Sequence, residues 1–543
     1  MKKTVKLLCA LLAIMMVVGL FAGCEKTPAT TTAGSNNGEK MKLTAVVQAD
    51  SRVGLFNEIT ADKFPVYKAF QDLLDKYNLE IEWTVIQNDQ WDTYIATAMA
   101  NPDTLPDYIW TVGMSVADKL AAADAGIFYA VDDILQYSDG TAKAYYESHP
   151  EIKGKNGYKG KLWWIPEYMG YSLDGEVKPW GEPVGVLVRE DWLNVLEMDI
   201  PTTPEAFRAY LEACQANDMN GNGVVDEYYL KNWNGIDYGM GPWFGIPSSF
   251  YGLNQTTGKI DSTFEMEQTK EYFKFMQGLV ADSLIKPDYI GMASYPSADE
   301  ASNMSAATSN YYCNNWTLTS CVVQEGAAEP NYVGCIPTTE YGFIQHDGSP
   351  LMDSRSAAFT KNLKDPKAAA AFLDILCSKE FEELTLWGLK DITYTEDAEG
   401  NREYTDDCVN IDKAKETGHA YGRDIWGFGQ IPIQYQFPME ADYVCCTTDK
   451  MLEVNAIGCA VNGTYSTHHD AYMQVPTAEE TARAAELETT INTLYQEISI
   501  DLFLGRIDID TEWDSKVIKP LKDAGLDELL AIYQARADRF AGK

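Results

Sequence analysis

Short apolar runs alternate with segments of helical periodicity along the first part of the chain. Residues 43–47 and 81–86 have the length and apolar content of strands, and residues 64–77 between them carry apolar side chains at helical spacing. A second helical segment at 91–100 precedes a third strand at 106–110. This order of strand and helix predicts parallel α/β organisation.

The pattern is interrupted at residues 172–183, which are rich in Gly, Asp and Pro, and resumes with an apolar strand at 184–188. Thr203 is a suitable N-cap for a helix at 205–214. A chain of 543 residues with this pattern predicts two or more lobes, because one hydrophobic core rarely serves so long a chain.

The second half of the chain continues with mixed elements. Residues 331–336 predict a strand, and residues 366–377 predict a helix with an alanine-rich face. Residues 392–404 predict a β-hairpin that turns at Gly400. Residues 480–540 are helical in pattern, so the chain should end in a helical region.

Residues 218–227 (DMNGNGVVDE) place oxygen-bearing groups at the spacing of a calcium-binding loop. Gly223 stands at loop position 6, where an EF-hand turns sharply, and a backbone carbonyl is available at position 7. The candidate Ca²⁺ ligands, in chain order, are Asp218, Asn220, Asn222, Val224, Asp226 and Glu227.

This loop departs from an EF-hand at position 12, where Tyr229 stands in place of the bidentate Glu. Asp226 and Glu227 would have to supply those oxygens. The alternative is a plain Asn-Gly turn between a helix and a strand, since both residues tolerate the left-handed region. The concentration of carboxylates and amides favours Ca²⁺ in a structural role, because a loop filled with its own ligands is closed to substrate.

The first residues have the parts of a secretory signal, with lysines before an apolar run at 7–21 and small residues after it. The run is too short to span a bilayer comfortably as a permanent helix. Cys24 follows Ala-Gly directly and resembles a bacterial lipobox, although Phe21 stands where Leu is usual. This predicts a lipoprotein signal peptide at 1–23 with lipid attached to Cys24. The alternative is ordinary secretion with an accidental cysteine.

Residues 24–41 are polar and poor in bulky apolar side chains, which is typical of a flexible tether. We therefore expect a lipid-anchored monomer on the outer face of the cell membrane of a Gram-positive bacterium.

The formal charge of −38 repels phosphate backbones, so nucleic-acid binding is excluded. The cysteines are irregularly spaced and lack a CxxC pair, which favours buried free thiols over a disulfide framework or a zinc site.

Aromatic residues make up 12% of the chain, and flat rings beside polar groups suit the apolar face and hydroxyl rim of a sugar. For each ring the alternative is packing in the core, which is where most Trp and Tyr lie. The candidate ligand-binding residues are Asp107, Trp163, Trp164, Glu167, Tyr168, Trp243, Tyr312, Asn315, Trp316, Arg423 and Trp426.

Several motifs in order along the chain resemble one family. They include VREDWL at 188–193, PTTPEAF at 201–207 and the cation loop, with GKLWWIP at 160–166 before them and SLIKPD at 283–288 after them. Together they resemble extracellular solute-binding proteins of bacterial ABC importers, in the large lipid-anchored branch related to oligosaccharide binders and calcium-containing alginate-binding proteins. SLIKPD departs from that family's pattern, since Ser and Lys replace Gly and Asp.

The resemblance implies an α/β fold of the two-lobe periplasmic-binding-protein type, similar to maltose-binding protein, with ligand in the interlobe cleft. It places lobe one at 42–178 plus 335–385, and lobe two at 179–334 plus 386–543 with the calcium loop. It further implies capture of a sugar or oligosaccharide and delivery to the permease subunits of an ABC importer.

The competing hypothesis is an enzyme, an anchored extracellular glycoside hydrolase or polysaccharide lyase. Such enzymes need two carboxylates at a defined separation, and among 81 acidic residues no pair stands out by motif. The sequence contains no G-x-S-x-G, H-E-x-x-H or phosphate-binding loop. With the family resemblance, this favours a binding protein without catalysis.

Overall fold

A computed structural model describes residues 39–49, 62–173, 176–179, 182–231, 233–292, 299, 302–312, 330–347, 351–398, 400, 402–422, 425, 434–438, 453–454, 457–458, 465–466 and 472–542. Met41–Lys543 forms one compact unit.

The strands in these residues fall into two large sheets and several small ones. In chain order they are β1 (Met41–Gln48), β2 (Leu79–Ile86), β3 (Tyr108–Trp110), β4 (Phe128–Tyr129), β5 (Gly157–Tyr158), β6 (Lys161–Leu162), β7 (Ile165–Leu173), β8 (Glu176–Pro179), β9 (Glu182–Arg189), β10 (Tyr228–Tyr229), β11 (Tyr251–Asn254), β12 (Lys259–Ser262), β13 (Ser305–Tyr311), β14 (Tyr332–Gly334), β15 (Gln345–Asp347), β16 (Leu351–Thr360), β17 (Tyr394–Glu396), β18 (Arg402–Tyr404), β19 (Gln434–Pro438) and β20 (Tyr465–Ser466).

The α-helices cover the sheets and form the end of the chain. They are α1 (Pro65–Lys76), α2 (Asn88–Ala100), α3 (Val116–Asp124), α4 (Val131–Ile134), α5 (Thr141–Ser148), α6 (Pro150–Asn156), α7 (Glu190–Leu196), α8 (Pro204–Asn217), α9 (Glu267–Ala281), α10 (Pro366–Leu376), α11 (Lys379–Leu386), α12 (Asp406–Val409), α13 (Ile411–Thr417), α14 (Ala478–Phe503), α15 (Lys519–Asp523) and α16 (Leu526–Phe540). Among the described residues, none of the helices combines the length and hydropathy needed to cross a membrane.

Lobe one is built on the larger sheet, with strand order β19-β7-β16-β3-β1-β2. The strand–helix alternation predicted from the sequence is confirmed here, because β1 pairs in parallel with both β2 and β3. Helix α1 starts at Pro65, whose fixed φ suits a first helical position, and it buries Val66, Phe70 and Leu73 in the lobe-one core.

Lobe two is built on a second sheet with strand order β10-β13-β9-β14, and β15 extends it by pairing with β9. Helix α8 begins as predicted, because the Thr203 hydroxyl accepts a hydrogen bond from the Ala206 N–H at 3.2 Å. The helical end of the chain packs into the same core, where Ile491, Leu502 and Leu529 are buried.

The chain crosses between the lobes at different places from those predicted. Strand β15 still pairs with β9 of lobe two, so the predicted lobe-one segment at 335–385 starts too early. That segment also ends too early, because Tyr394, Ala414 and Ile425 lie in the lobe-one core. The pattern of a short strand does not reveal which of two sheets it joins, and this caused both errors.

The lobes are also joined by a contact outside the strands that cross between them. Val475, from the segment before α14, packs in a small cluster with Leu120, Phe128 and Trp164 of lobe one. Its N–H donates to the Lys155 carbonyl at 2.9 Å. The helical end of the chain is therefore attached to both lobes.

Candidate functional site

Two short connections determine which edge of each sheet lies beside the other lobe. Strand β8 ends at Pro179 in the lobe-one sheet, and β9 begins at Glu182 in the lobe-two sheet. Likewise β15 ends at Asp347 and β16 begins at Leu351. The start of β9 therefore borders lobe one, and the start of β16 borders lobe two.

In lobe one, the carboxyl ends of the parallel strands lie at this border. Strand β3 runs antiparallel to β16, with Trp110 opposite Ala357. Beyond it the Thr111 N–H donates to the Ser356 carbonyl at 2.7 Å. Because β1 and β2 run parallel to β3, they end at the same edge, with Gln48 as the last residue of β1. Ligands of open α/β sheets bind outside the carboxyl ends of such strands.

In lobe two, the carboxyl ends of β10 and β13 meet the same border. Strand β13 runs antiparallel to β9, with Tyr311 opposite Val184. Strand β10 runs parallel to β13, and the Leu230 N–H donates to the Ala307 carbonyl at 2.7 Å. Lys231 and Tyr311 therefore lie on the edge of lobe two that borders lobe one.

A buried carboxylate, Asp237, organises this edge of lobe two. It accepts hydrogen bonds from the Tyr229 hydroxyl at 2.5 Å and the Ser309 hydroxyl at 2.7 Å, and it pairs with the Lys231 ammonium. Burial alone would raise the pKa of Asp237, but Lys231 and the two hydroxyls hold it below its ordinary value. Next to it, the Tyr238 hydroxyl donates to the Ser309 carbonyl at 2.5 Å.

Gln48 offers a polar group at the edge of lobe one. Its side-chain oxygen is enclosed and has no hydrogen-bond partner within the part of the chain that the structure describes. An enclosed carbonyl oxygen without a donor is costly.

Three of the predicted ligand-binding rings lie in the interior instead. Trp164, Trp243 and Tyr312 are 0%, 1% and 1% exposed, and the Tyr312 hydroxyl donates to the Cys335 carbonyl at 2.5 Å. In this structure Trp243 and Tyr312 fill the lobe-two core and Trp164 lies in the small cluster with Val475, as the packing alternative proposed, and the three rings present no face to a ligand. A Trp or Tyr in the sequence looks the same in either role.

Asp107 also has a structural role in place of the predicted contact with ligand. It lies just before β3, at the end remote from lobe two, and it is 5% exposed. Its carboxylate accepts from the Thr44 N–H at 2.8 Å and the Thr44 hydroxyl at 2.7 Å. These bonds tie β1 to β3.

The other predicted ligand-binding residues have mixed positions. Trp163 is half-buried, and its ring N–H donates to the Tyr158 carbonyl at 2.9 Å. Glu167 and Tyr168 lie on β7 opposite Met352 and Leu351, close to where β16 starts; their side chains lie outside what the structure describes. Asn315, Trp316, Arg423 and Trp426 lie outside the described residues, as does Cys24.

The predicted calcium loop follows α8 and precedes β10. Asp218 is in the left-handed conformation, with φ 47°, and its carboxylate accepts from the Asn222 and Gly223 N–H groups at 3.0 and 2.9 Å. The side-chain amides of Asn220 and Asn222 donate to Asp226 at 2.7 and 2.9 Å. Four of the six candidate ligands, Asp218, Asn220, Asn222 and Asp226, are therefore connected by hydrogen bonds within one loop.

Glu227, the last residue of this loop, is buried. Burial raises the pKa of Glu227, and hydrogen bonds from the Asn220 and Asp226 N–H groups offset part of that effect. Within the described residues, no three His, Cys, Asp or Glu side chains converge closely enough to form a metal-binding group. The donor set still fits a hard cation, since Ca²⁺ binds amide and backbone carbonyl oxygens as well as carboxylates.

Comparison with known proteins finds relatives of one kind, although no protein-family model matches the chain. The chain is 24% identical over 406 residues to lipoprotein LipO of Bacillus subtilis, covering 70% of this chain and 73% of LipO. It is 27% identical over 232 residues to the fructooligosaccharide ABC transporter substrate-binding protein FusA of Streptococcus pneumoniae, covering 40% of each chain.

Solved structures agree with this result. An HMO-binding solute-binding protein associated with an ABC transporter of Bifidobacterium longum infantis has a TM-score of 0.65 at 17% identity, covering 92% of this chain and 99% of that protein. FusA in complex with kestose has a TM-score of 0.62 at 18% identity, covering 93% and 100%. A FusA structure with fructo-nystose is described as an EF-hand mutant.

The chain therefore has the α/β two-lobe fold of the solute-binding proteins that serve ABC transporters. Its homologues include a lipoprotein and a fructooligosaccharide ABC transporter substrate-binding protein.

Replacing Asp107 tests its structural role. We expect Asp107→Ala to lower the free energy of unfolding by about 3 kcal/mol, because the half-buried Thr44 N–H and hydroxyl lose a charged, buried acceptor. Urea denaturation followed by circular dichroism measures this change. The matched control is Asp103→Ala, whose side chain is 83% exposed and should leave the midpoint unchanged. Equal effects of the two variants would contradict the assignment.

Proposed function

We propose that this protein captures a sugar or oligosaccharide between its lobes and delivers it to the permease subunits of an ABC importer. The observation that carries the proposal is that strands of both sheets have their carboxyl ends at the border between the lobes. The fold is shared with FusA bound to kestose. Gln48 on lobe one and Lys231 and Tyr238 on lobe two stand at these edges.

Capture requires that the ligand touch both lobes. A ligand shifts an equilibrium between open and closed forms only through contacts that differ between them. A hydroxylated ligand that contacts the carboxyl ends of the strands in both lobes would favour closure. The closed form is then the one that the permease receives.

The anchor belongs to the same proposal. Cys24 would carry lipid and residues 24–41 would act as the tether, which agrees with the description of LipO as a lipoprotein. A tether of this kind raises the effective concentration of the binder near its permease. The protein would act as a monomer on the outer face of a Gram-positive cell membrane.

The loop at 218–227 would hold a structural Ca²⁺ ion. Its ligands would be Asp218, Asn220, Asn222, the Val224 carbonyl, Asp226 and Glu227, a set of oxygens that suits a hard cation. The loop enters β10 at Tyr228, opposite Ser305 at the start of β13, which is the end of the sheet remote from lobe one. The ion would therefore brace lobe two and would not contact the sugar.

The enzyme alternative receives less support. FusA and the HMO-binding protein, to which the chain is similar, are solute-binding proteins. We infer that the protein releases its ligand unchanged.

A glycan panel tests the proposed function. We expect at least one oligosaccharide to raise the melting temperature of the purified protein, because a ligand that binds only the folded state stabilises it. Mass spectrometry should recover that sugar intact after prolonged incubation. Depolymerised sugar would support the enzyme, and no response to any glycan would contradict sugar capture.

Removal of Ca²⁺ tests the loop. We expect EDTA to lower the melting temperature by several degrees while the dissociation constant for sugar changes little, because the loop lies away from the lobe border. Asp226→Asn should abolish the response to EDTA. Asp288→Asn, at an exposed carboxylate of the same lobe, should retain it. A melting temperature insensitive to EDTA in the metal-loaded protein would mean that the loop is only a turn.

A further inference from the structure

The loop at 218–227 contains two Asn-Gly pairs, and one of them is exposed. Asn222 and Gly223 lie at the surface, whereas Asn220, which precedes Gly221, is 8% exposed. An Asn-Gly pair can react with itself, because the backbone nitrogen of the glycine can attack the side-chain amide carbon of the asparagine. Glycine has no side chain to obstruct this approach. The surroundings of each pair therefore decide whether the reaction occurs.

A carboxylate contacts the attacking nitrogen of the exposed pair. The Gly223 N–H donates to Asp218 Oδ2 at 2.9 Å, and Asp218 Oδ1 accepts from the Asn222 N–H at 3.0 Å. A carboxylate within hydrogen-bond distance of a proton that must be removed is in position to act as a base. Asp218 can therefore take the proton of Gly223 as its nitrogen attacks.

The carbonyl under attack is polarised by a second backbone group. The Val224 N–H donates to Asn222 Oδ1 at 2.7 Å. The Asn222 amide nitrogen donates to Asp226 at 2.9 Å, so the oxygen of the amide is the atom that faces Val224. Negative charge develops on this oxygen when a nitrogen adds to the amide carbon, and a donor already in contact with it stabilises that charge, as in an oxyanion hole.

Asn220 has different surroundings, although it also precedes a glycine. Its side-chain oxygen accepts from the Asn222 N–H at 3.1 Å, but the Gly221 N–H donates to the backbone carbonyl of Asp218 at 2.9 Å. A neutral amide carbonyl is too weak a base to take that proton. Asn220 is also buried, which limits the access of the water that completes the reaction. The second pair therefore serves as a control within the same loop.

We propose that Asn222 is a site of spontaneous deamidation, promoted by Asp218 and Val224. The Gly223 nitrogen forms a bond to the side-chain carbon of Asn222, and Asp218 takes the proton from that nitrogen. The bond between this carbon and the amide nitrogen then breaks. The proton goes to the departing nitrogen, and ammonia leaves behind a five-membered succinimide ring. Water opens the ring to aspartate or isoaspartate, so water is the only co-reactant.

The product carries a new negative charge beside Asp218 and Asp226. Since the affinity of such a loop for Ca²⁺ depends on the number of its charged ligands, deamidation would alter the cation site that we propose here. The same oxygens are the proposed Ca²⁺ ligands, so the reaction belongs to the loop without its ion. The inference itself needs only the contacts within the loop and does not depend on sugar capture.

Tandem mass spectrometry of the purified protein after incubation with EDTA at neutral pH tests this inference. We expect Asn222 to be converted to aspartate and isoaspartate at least about tenfold faster than Asn220, because a positioned base contributes a factor of this size or more. In urea, where the loop is unfolded, the two residues should react at similar rates.

Variants identify the base. Asp218→Asn keeps an oxygen acceptor and removes the carboxylate, so deamidation of Asn222 should slow by about tenfold or more. Asparagine also tolerates the left-handed conformation of residue 218. The control is Asp288→Asn, at an exposed carboxylate of the same lobe, which should retain the original rate. Circular dichroism establishes that each variant is folded.

Two results would overturn the inference: equal rates at Asn222 and Asn220 in the folded protein, or an unchanged rate at Asn222 in folded Asp218→Asn. A parallel incubation with CaCl₂ separates the inference from the proposed calcium site. Slower deamidation of Asn222 in CaCl₂ supports both. A rate equal to that in EDTA contradicts the calcium site and leaves the deamidation site supported.

Discussion

The direction of two strands at the lobe border is the constraint on which the rest of the structure depends. Strands β9 and β16 each begin within a few residues of a strand in the other lobe. A strand that pairs with either of them in the antiparallel sense therefore runs toward that border, as β3 and β13 do. The carboxyl ends of these strands in both sheets therefore lie at the border because of strand direction alone, whatever their side chains are.

The two charged features of lobe two lie at opposite ends of its sheet. The loop at 218–227 gathers acidic groups at the start of β10, whereas Asp237 is paired with Lys231 at the other end. An acidic loop can be stabilised by a cation without affecting the edge that borders lobe one. The paired ions at that edge add no net charge.

The sequence predicted the fold better than it predicted the site. The parallel order of β1, β2 and β3, the Thr203 cap and the hairpin formed by β17 and β18 were all predicted, because periodicity and capping residues act locally. Burial of Trp164 and Tyr312 was not predictable, since it depends on which sheet covers a ring.

The most direct test of the account is a small-angle X-ray scattering measurement with and without a saturating amount of the sugar that binds best. If the sugar is held between the two carboxyl edges, the lobes should close on it and the radius of gyration should decrease. A radius of gyration that stays unchanged while calorimetry shows the sugar to be bound would place the ligand elsewhere and contradict the account.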